Sequence, residues 1–168
     1  DRNIISEEGC RELAAAGHEL GCHTFGHEIV HTLSGRALRD NLDRNGSLLD
    51  SFELPITKRN FAYPYNQGSL RHRQLFADRY QTARGGGDRI NRGKVNRGFL
   101  WGMEIRQPEQ DALALVRQID DVVREPGWLV FFTHDVSDTP TPYGCTPSTF
   151  STLVRLSLIH ISEPTRPY

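Results

Sequence analysis

Along the chain, apolar residues recur at helical spacing in some segments and form short runs in others. The first pattern is typical of amphipathic helices and the second of buried strands. Apolar positions three or four residues apart predict one helix after Ser6, a second after Ser34 and a third that includes Leu70. The clearest helix is predicted over 109–125, directly after Pro108, because its apolar residues share one face. Short apolar runs between the helices predict the strands 19–23, 60–63, 80–83 and 128–133.

The alternation of helices and strands indicates an α/β protein in which crossover connections join parallel strands. An open doubly wound sheet and a (β/α) barrel both fit this order. The run 128–133 is continuously apolar, so we expect it to be a strand buried on both faces. In either arrangement, chemistry belongs at the carboxyl ends of the strands, where His23, the segment 63–65 and His134 are found.

The composition excludes several classes of protein. The chain of 168 residues has the length of one domain, and 20 Lys and Arg against 21 Asp and Glu give a net charge of −1. A charge so close to zero argues against a protein that binds nucleic acid over its whole surface. No run approaches the roughly 18 consecutive apolar residues that a membrane-spanning helix needs. The three cysteines are too few and too scattered for a disulfide framework.

The last thirteen residues, 156–168, depart from the pattern of the chain before them. They match neither the continuation of a helix nor a strand with a turn, and they read like the translation of a sequencing-library adapter. The chain also begins at Asp1 rather than at a methionine. We therefore expect one domain over 1–155, truncated at both ends, followed by a segment that is not native.

Three histidines lie four residues apart, and their spacing alone leaves three interpretations open. In the first, His23 and His27 are paired imidazole ligands of one metal ion. In the second, His27, Glu28 and His31 form H-E-x-x-H, the zinc protease signature, which needs a helix that places both imidazoles on one face. Gly26 disfavours such a helix. In the third interpretation the histidines are exposed and bind nothing.

Three longer motifs are spread over the chain: A-A-A-G-H-E-L-G-C-H-T-F-G-H at 14–27, F-A-Y-P-Y-N at 61–66 and F-F-T-H-D at 131–135. Together, and in this order, they resemble the polysaccharide deacetylases, also called the NodB-homology family, or carbohydrate esterase family 4. The resemblance implies an incomplete, distorted (β/α) barrel of the NodB-homology type. It also implies a metal-dependent hydrolase that removes an N-acetyl or similar acyl group from a carbohydrate.

The resemblance further implies a role for individual residues. His23 and His27 would be ligands of Zn²⁺ or another divalent cation. Tyr65 would offer its backbone N–H to the oxyanion of the tetrahedral intermediate. His134 would act as the general acid that protonates the departing amine. The implied partner is a carbohydrate substrate that carries an N-acyl group.

The chain departs from the family pattern at two points. The T-F-D-D motif, which supplies the catalytic base and a third metal ligand in that family, has no counterpart in this sequence. Ala62 stands where the family has an arginine, and Arg84 is the candidate to replace it. A non-catalytic carbohydrate-binding relative is therefore an alternative, and we expect this chain alone to be inactive.

Overall fold

The computed structural model describes residues 5–54, 59–106 and 112–162. Contacts between residues divide the chain into two compact units. One unit is formed by Asp1–Gly85 and Asn96–Leu100, and the other by Gly86–Val95 and Trp101–Tyr168. Each unit has its own hydrophobic core.

Three α-helices of the first unit lie near their predicted positions. Helix α1 spans Glu7–Ala15, and the side chain of its N-cap residue Ser6 accepts a hydrogen bond from the backbone N–H of Gly9 at 3.1 Å. Helix α2 spans Gly35–Ser51 and helix α3 spans Arg73–Arg79. The predicted caps at Ser6 and Ser34 are confirmed, and so is the apolar face of α2, where Leu38, Leu42 and Leu49 are buried.

A short parallel sheet lies between these helices along the chain. Strand β1 (Phe61–Ala62) pairs in parallel with strand β2 (Ala83–Arg84). Single parallel bridges extend the sheet on both sides, at Cys22 beside β1 and at Leu100 beside β2. The predicted strand 19–23 is therefore reduced to one bridged residue. Because the pairings are parallel, the residues that follow Cys22 and β1 emerge at the same edge of the sheet.

The core of the first unit combines one face of α2 with the aromatic residues of the sheet and α3. Its buried residues are Cys22, Val30, Leu38, Leu42, Phe61, Tyr63, Phe76, Tyr80 and Ala83. The hydroxyl of Tyr63 donates a hydrogen bond to the carbonyl of Gly98 at 2.7 Å. Burial raises the pKa of Tyr63, so this hydroxyl remains a neutral donor inside the core.

The second unit contains a second parallel pair and two helices. Strand β3 (Met103–Glu104) pairs with strand β4 (Phe131–Phe132), while helix α4 spans Ala112–Arg124 and helix α5 spans Pro147–Ser162. The start of the helix predicted over 109–125 lies outside the described residues. The buried residues of this core are Met103, Ile105, Leu115, Ile119, Cys145 and Leu153.

Three sequence-based expectations are corrected by the structure. Leu70 is exposed rather than helical, because His72 is the N-cap residue of α3. The run 128–133 contains only a two-residue strand that is half-buried, since it has a paired strand on one side among the described residues. The end of the chain does continue a helix, because α5 extends to Ser162 and Leu156 packs against the second core.

The α/β class with parallel strands is confirmed in both units. Within the described parts of the chain, the strands of each unit form an open sheet rather than a closed barrel. The incomplete barrel therefore stays a prediction.

Candidate functional site

Three of the predicted site residues lie close together in the first unit. The ring centroids of His23 and His27 are 4.9 Å apart, at an interplanar angle of 67°. The ring of Tyr65 lies 4.8 Å from that of His27. These residues follow two neighbouring chain segments of the sheet, Cys22 and β1, so the parallel pairing brings them to one edge.

The ring of His23 is oriented by the backbone of β1. Its Nδ1 lies 2.7 Å from the carbonyl oxygen of Ala62, which can only accept a hydrogen bond. Nδ1 therefore carries the proton, and in the neutral ring the lone pair lies on Nε2. A hydrogen bond from the second nitrogen to a carbonyl is the usual way in which proteins orient a metal-binding histidine.

The two loops of this site contain unusual backbone conformations. Six described non-glycine residues have a positive φ, and four of them are Thr24 (62°), His27 (56°), Tyr65 (55°) and Asn66 (59°). Such residues cost free energy and concentrate where function requires a particular geometry. No pattern in the sequence predicts this cluster.

The donor atoms of the loop fit a divalent cation only in part. His23 and His27 provide two imidazoles, the donor type that zinc favours. Between them in the chain, Thr24 is 6% exposed, and its buried hydroxyl has no hydrogen-bond partner among the described residues. In the described ranges, no group of three or more His, Cys, Asp or Glu side chains is arranged to hold a metal ion. The pair therefore fits as two ligands of an ion.

The segment that would form a zinc protease helix is not helical. His27 has a left-handed backbone, and the segment up to His31 contains only a three-residue 3₁₀ turn, Val30–Thr32. Glu28 is exposed, and its carboxylate accepts a hydrogen bond from the side chain of Asn41 at 2.5 Å. H-E-x-x-H chemistry requires both histidines on one helical face, so the protease interpretation is wrong for this fold.

Asn41 on α2 is a buried polar residue that the sequence analysis missed. Its Oδ1 accepts a hydrogen bond from the backbone N–H of Phe25 at 2.6 Å, and its Nδ2 donates to Glu28. Its only sequence signal is a polar residue directly before Leu42, on the apolar face of a predicted helix.

Arg84 lies beside the loop that contains Tyr65. Its guanidinium donates a hydrogen bond to the side-chain oxygen of Asn66 at 2.7 Å, and its carbonyl accepts one from the backbone N–H of Tyr63 at 2.9 Å. Arg84 thus contacts the residues on both sides of Pro64 and Tyr65. The structure places it where an arginine can position this loop.

His134 belongs to the second unit and follows β4. Its side chain is 55% exposed, and Nδ1 lies 3.3 Å from the carbonyl oxygen of Tyr143 and 3.7 Å from the carboxylate of Glu104. Both neighbours are acceptors, so they favour the tautomer with the proton on Nδ1. Glu104 is largely buried, and its carboxylate also lies 3.7 Å from the guanidinium of Arg106.

The residue after His134 stabilises the following loop. The carboxylate of Asp135 accepts hydrogen bonds from the hydroxyl of Thr141 at 2.5 Å and from its backbone N–H at 3.0 Å. These hydrogen bonds lower the pKa of Asp135. Asp135 therefore has a structural role in the loop that carries the carbonyl of Tyr143.

Comparison with known proteins identifies the first part of the chain. The family model for polysaccharide deacetylases matches residues 1–79. Residues 1–79 therefore belong to the polysaccharide deacetylase family. This stretch includes His23, His27 and Tyr65, whereas His134 lies beyond it. Searches of the curated proteins and of the solved structures give no match.

The match over residues 1–79 supports carbohydrate deacetylase activity in general, that is, hydrolysis of an amide on a carbohydrate substrate. Members of the family generally depend on a divalent metal. Among the described residues, no helix combines the length and the hydrophobicity that crossing a bilayer requires.

Proposed function

We propose that this chain is part of a metal-dependent carbohydrate N-deacetylase. The observation that carries the proposal is the convergence of His23, His27 and Tyr65. Two motifs separated by more than thirty residues along the chain place the ring of His27 within 5 Å of the rings of both His23 and Tyr65. Exposed histidines without a role would need neither this convergence nor the hydrogen bond that orients His23.

In this proposal His23 and His27 are two ligands of Zn²⁺ or another divalent cation. Such an ion, when bound, supplies Lewis acidity toward an amide carbonyl and toward water. The hydrogen bond from His23 Nδ1 to the carbonyl of Ala62 keeps the lone pair on Nε2 and fixes the orientation of the ring.

Tyr65 has the second role, in which its backbone N–H stabilises the oxyanion of the tetrahedral intermediate. A donor that stabilises a transition state must be fixed before the reaction begins. The left-handed backbone of Tyr65 and the hydrogen bond from Arg84 to Asn66 support such a fixed loop. We propose Arg84 as the positioning residue that takes the place of the arginine missing at Ala62.

His134 has the third role, as the general acid. Hydrolysis of the amide cleaves its C–N bond, adds water to the acyl carbon and leaves an amine that must gain a proton. The acceptors near Nδ1 of His134 hold a proton on that nitrogen, so Nε2 is the atom that exchanges the catalytic proton. Glu104, whose carboxylate lies 3.7 Å from Nδ1, would help to orient the ring.

The test compares the zinc content of the complete protein with that of a His23→Ala/His27→Ala variant after dialysis. We expect the double variant to lose most of its zinc, and acetate release from an N-acetylated oligosaccharide to fall with it. His31→Ala is the matched control and should keep both, because His31 has no ligand role in this proposal. Equal zinc in the wild type and the double variant would refute the assignment. Oligosaccharide binding without acetate release would instead favour the non-catalytic relative.

A further inference from the structure

Asn41 connects helix α2 to the loop that carries the two histidines. It is only 7% exposed, yet both polar atoms of its side chain have partners in that loop. Oδ1 accepts from the backbone N–H of Phe25, and Nδ2 donates to the carboxylate of Glu28. These two partners lie on either side of His27 along the chain, so one side chain holds the residues before and after it.

Helix α2 also contacts the ring of Phe25. The guanidinium of Arg44, three residues after Asn41 on the same helix, lies 4.0 Å from the centre of that ring. Leu38 and Leu42 are completely buried on the same helix and fix its position in the core. The loop is therefore attached to a rigid element rather than held by its own backbone.

The backbone between these attachments needs such support. His27 has a φ of 56° and Thr24 a φ of 62°, which are unfavourable for residues with a β-carbon. A left-handed residue persists only where its surroundings determine the conformation. The hydrogen bonds of Asn41 to Phe25 and Glu28 are two such determinants, one on each side of His27 along the chain.

We propose that Asn41 is a positioning residue that holds His27 beside His23 in the arrangement that binds a cation. The metal-binding part of this inference rests on the proposed function. Asparagine suits the position because one end of its amide accepts and the other donates. Aspartate would keep the acceptor for Phe25 but lose the donor, and it would place a second carboxylate against Glu28.

The experiment measures zinc affinity by titration, and ring-to-ring NOEs between His23 and His27, in the wild type and in Asn41→Asp. We expect zinc affinity to fall about 10- to 100-fold, as is typical when a residue that orients a metal ligand is changed. The NOEs should disappear. The matched control is Ser47→Asp, which places the same carboxylate on α2 at an exposed position. This control should stay within about twofold of the wild type.

A second substitution tests the hydrogen bond itself. Glu28→Gln alone keeps an acceptor for Asn41 and should leave zinc affinity within about twofold. Combined with Asn41→Asp, it supplies an amide donor from the opposite side, and it should restore the NOEs and most of the affinity. Asn41→Leu, which removes both hydrogen bonds without adding charge, should not be rescued by Glu28→Gln.

The outcomes separate this inference from the proposed function. If Asn41→Asp and Ser47→Asp leave zinc affinity and the NOEs equally unchanged, Asn41 has no positioning role. If Asn41→Asp abolishes the NOEs while the wild type binds no zinc through His23 and His27, the positioning role holds and the metal site fails. Loss of affinity without rescue by Glu28→Gln would refute the role of the bond to Glu28.

Discussion

Four residues with left-handed backbones, His27 among them, lie in the two loops of the candidate site, and each such conformation costs of the order of 1–3 kcal/mol. Asparagine and histidine tolerate this conformation better than other residues, so Asn66 and His27 are less surprising than Thr24 and Tyr65. Thr24 is β-branched and also buries a hydroxyl without a partner among the described residues. The loops that place the imidazoles are therefore maintained at the expense of local stability.

A second buried histidine makes the stability of the first unit depend on pH. His72 is buried, and its Nδ1 lies 3.0 Å from the hydroxyl of Ser69, while its Nε2 has no partner in the described ranges. Burial, together with the positive charges of Arg71 and Arg39, lowers the pKa of His72 from its ordinary value of 6.5.

We expect the free energy of unfolding to fall as the pH drops below about 6.5, because the unfolded state then binds a proton that folded His72 resists. The loss continues until the pH reaches the lowered pKa of the folded state. His72→Gln should remove this component, which is at most about 1.4 kcal/mol per pH unit for one group. Urea unfolding at pH 7.5, 6.5 and 5.5 measures it.

The control for this prediction is His18→Gln, which makes the same substitution at an exposed histidine of the first unit. The slope of stability against pH should therefore be unchanged in His18→Gln and reduced in His72→Gln. Equal slopes in both variants would show that His72 is not the source of the acid sensitivity.

Helix α2 is the element that the sequence predicts best. Its cap at Ser34 and its apolar spacing through Leu38, Leu42 and Leu49 agree, and local signals of this kind do not depend on distant partners. The strands are predicted less well, since their lengths depend on which neighbouring segment pairs with them. The run 19–23 retains one bridged residue for this reason.

Substitution of the N-cap residue of α2 tests how much the cap contributes to the stability of the first unit. The hydroxyl of Ser34 accepts a hydrogen bond from the backbone N–H of Ala37 at 3.2 Å. Ser34→Ala should lower the free energy of unfolding by about 1 kcal/mol, because an N–H at the helix end loses its partner. Thermal or urea unfolding measures this loss. Ser47→Ala, at an exposed position inside the same helix, should be neutral or slightly stabilising. A loss of similar size in both variants would exclude a capping role for Ser34.

At the scale of the whole molecule, the sequence predicts the components of the site better than their support. The motifs predict that His23, His27 and Tyr65 belong to one site, and parallel pairing explains why they converge. Asn41 could not be predicted, because its function depends on where α2 packs against the loop. The role of His134 as general acid remains a prediction from the motif F-F-T-H-D.

The proposed reaction also needs a carboxylate, both as a base and as a metal ligand, which the described residues do not bring to the histidine pair. We therefore expect the genomic locus to encode T-F-D-D or a close variant upstream of Asp1. Sequencing through both ends of the gene measures this directly. An upstream strand without its acidic pair would contradict the hydrolase proposal and favour a carbohydrate-binding role.

The same sequencing tests the identity of residues 156–168. We propose that the genomic sequence departs from this one after Arg155, because the final thirteen residues read like a translated adapter. The helical conformation of α5 up to Ser162 is no objection, since leucine has a high helix propensity and Leu156 packs against the second core. If the locus encodes all thirteen residues, the adapter interpretation is wrong and the contact of Leu156 with the second core is native.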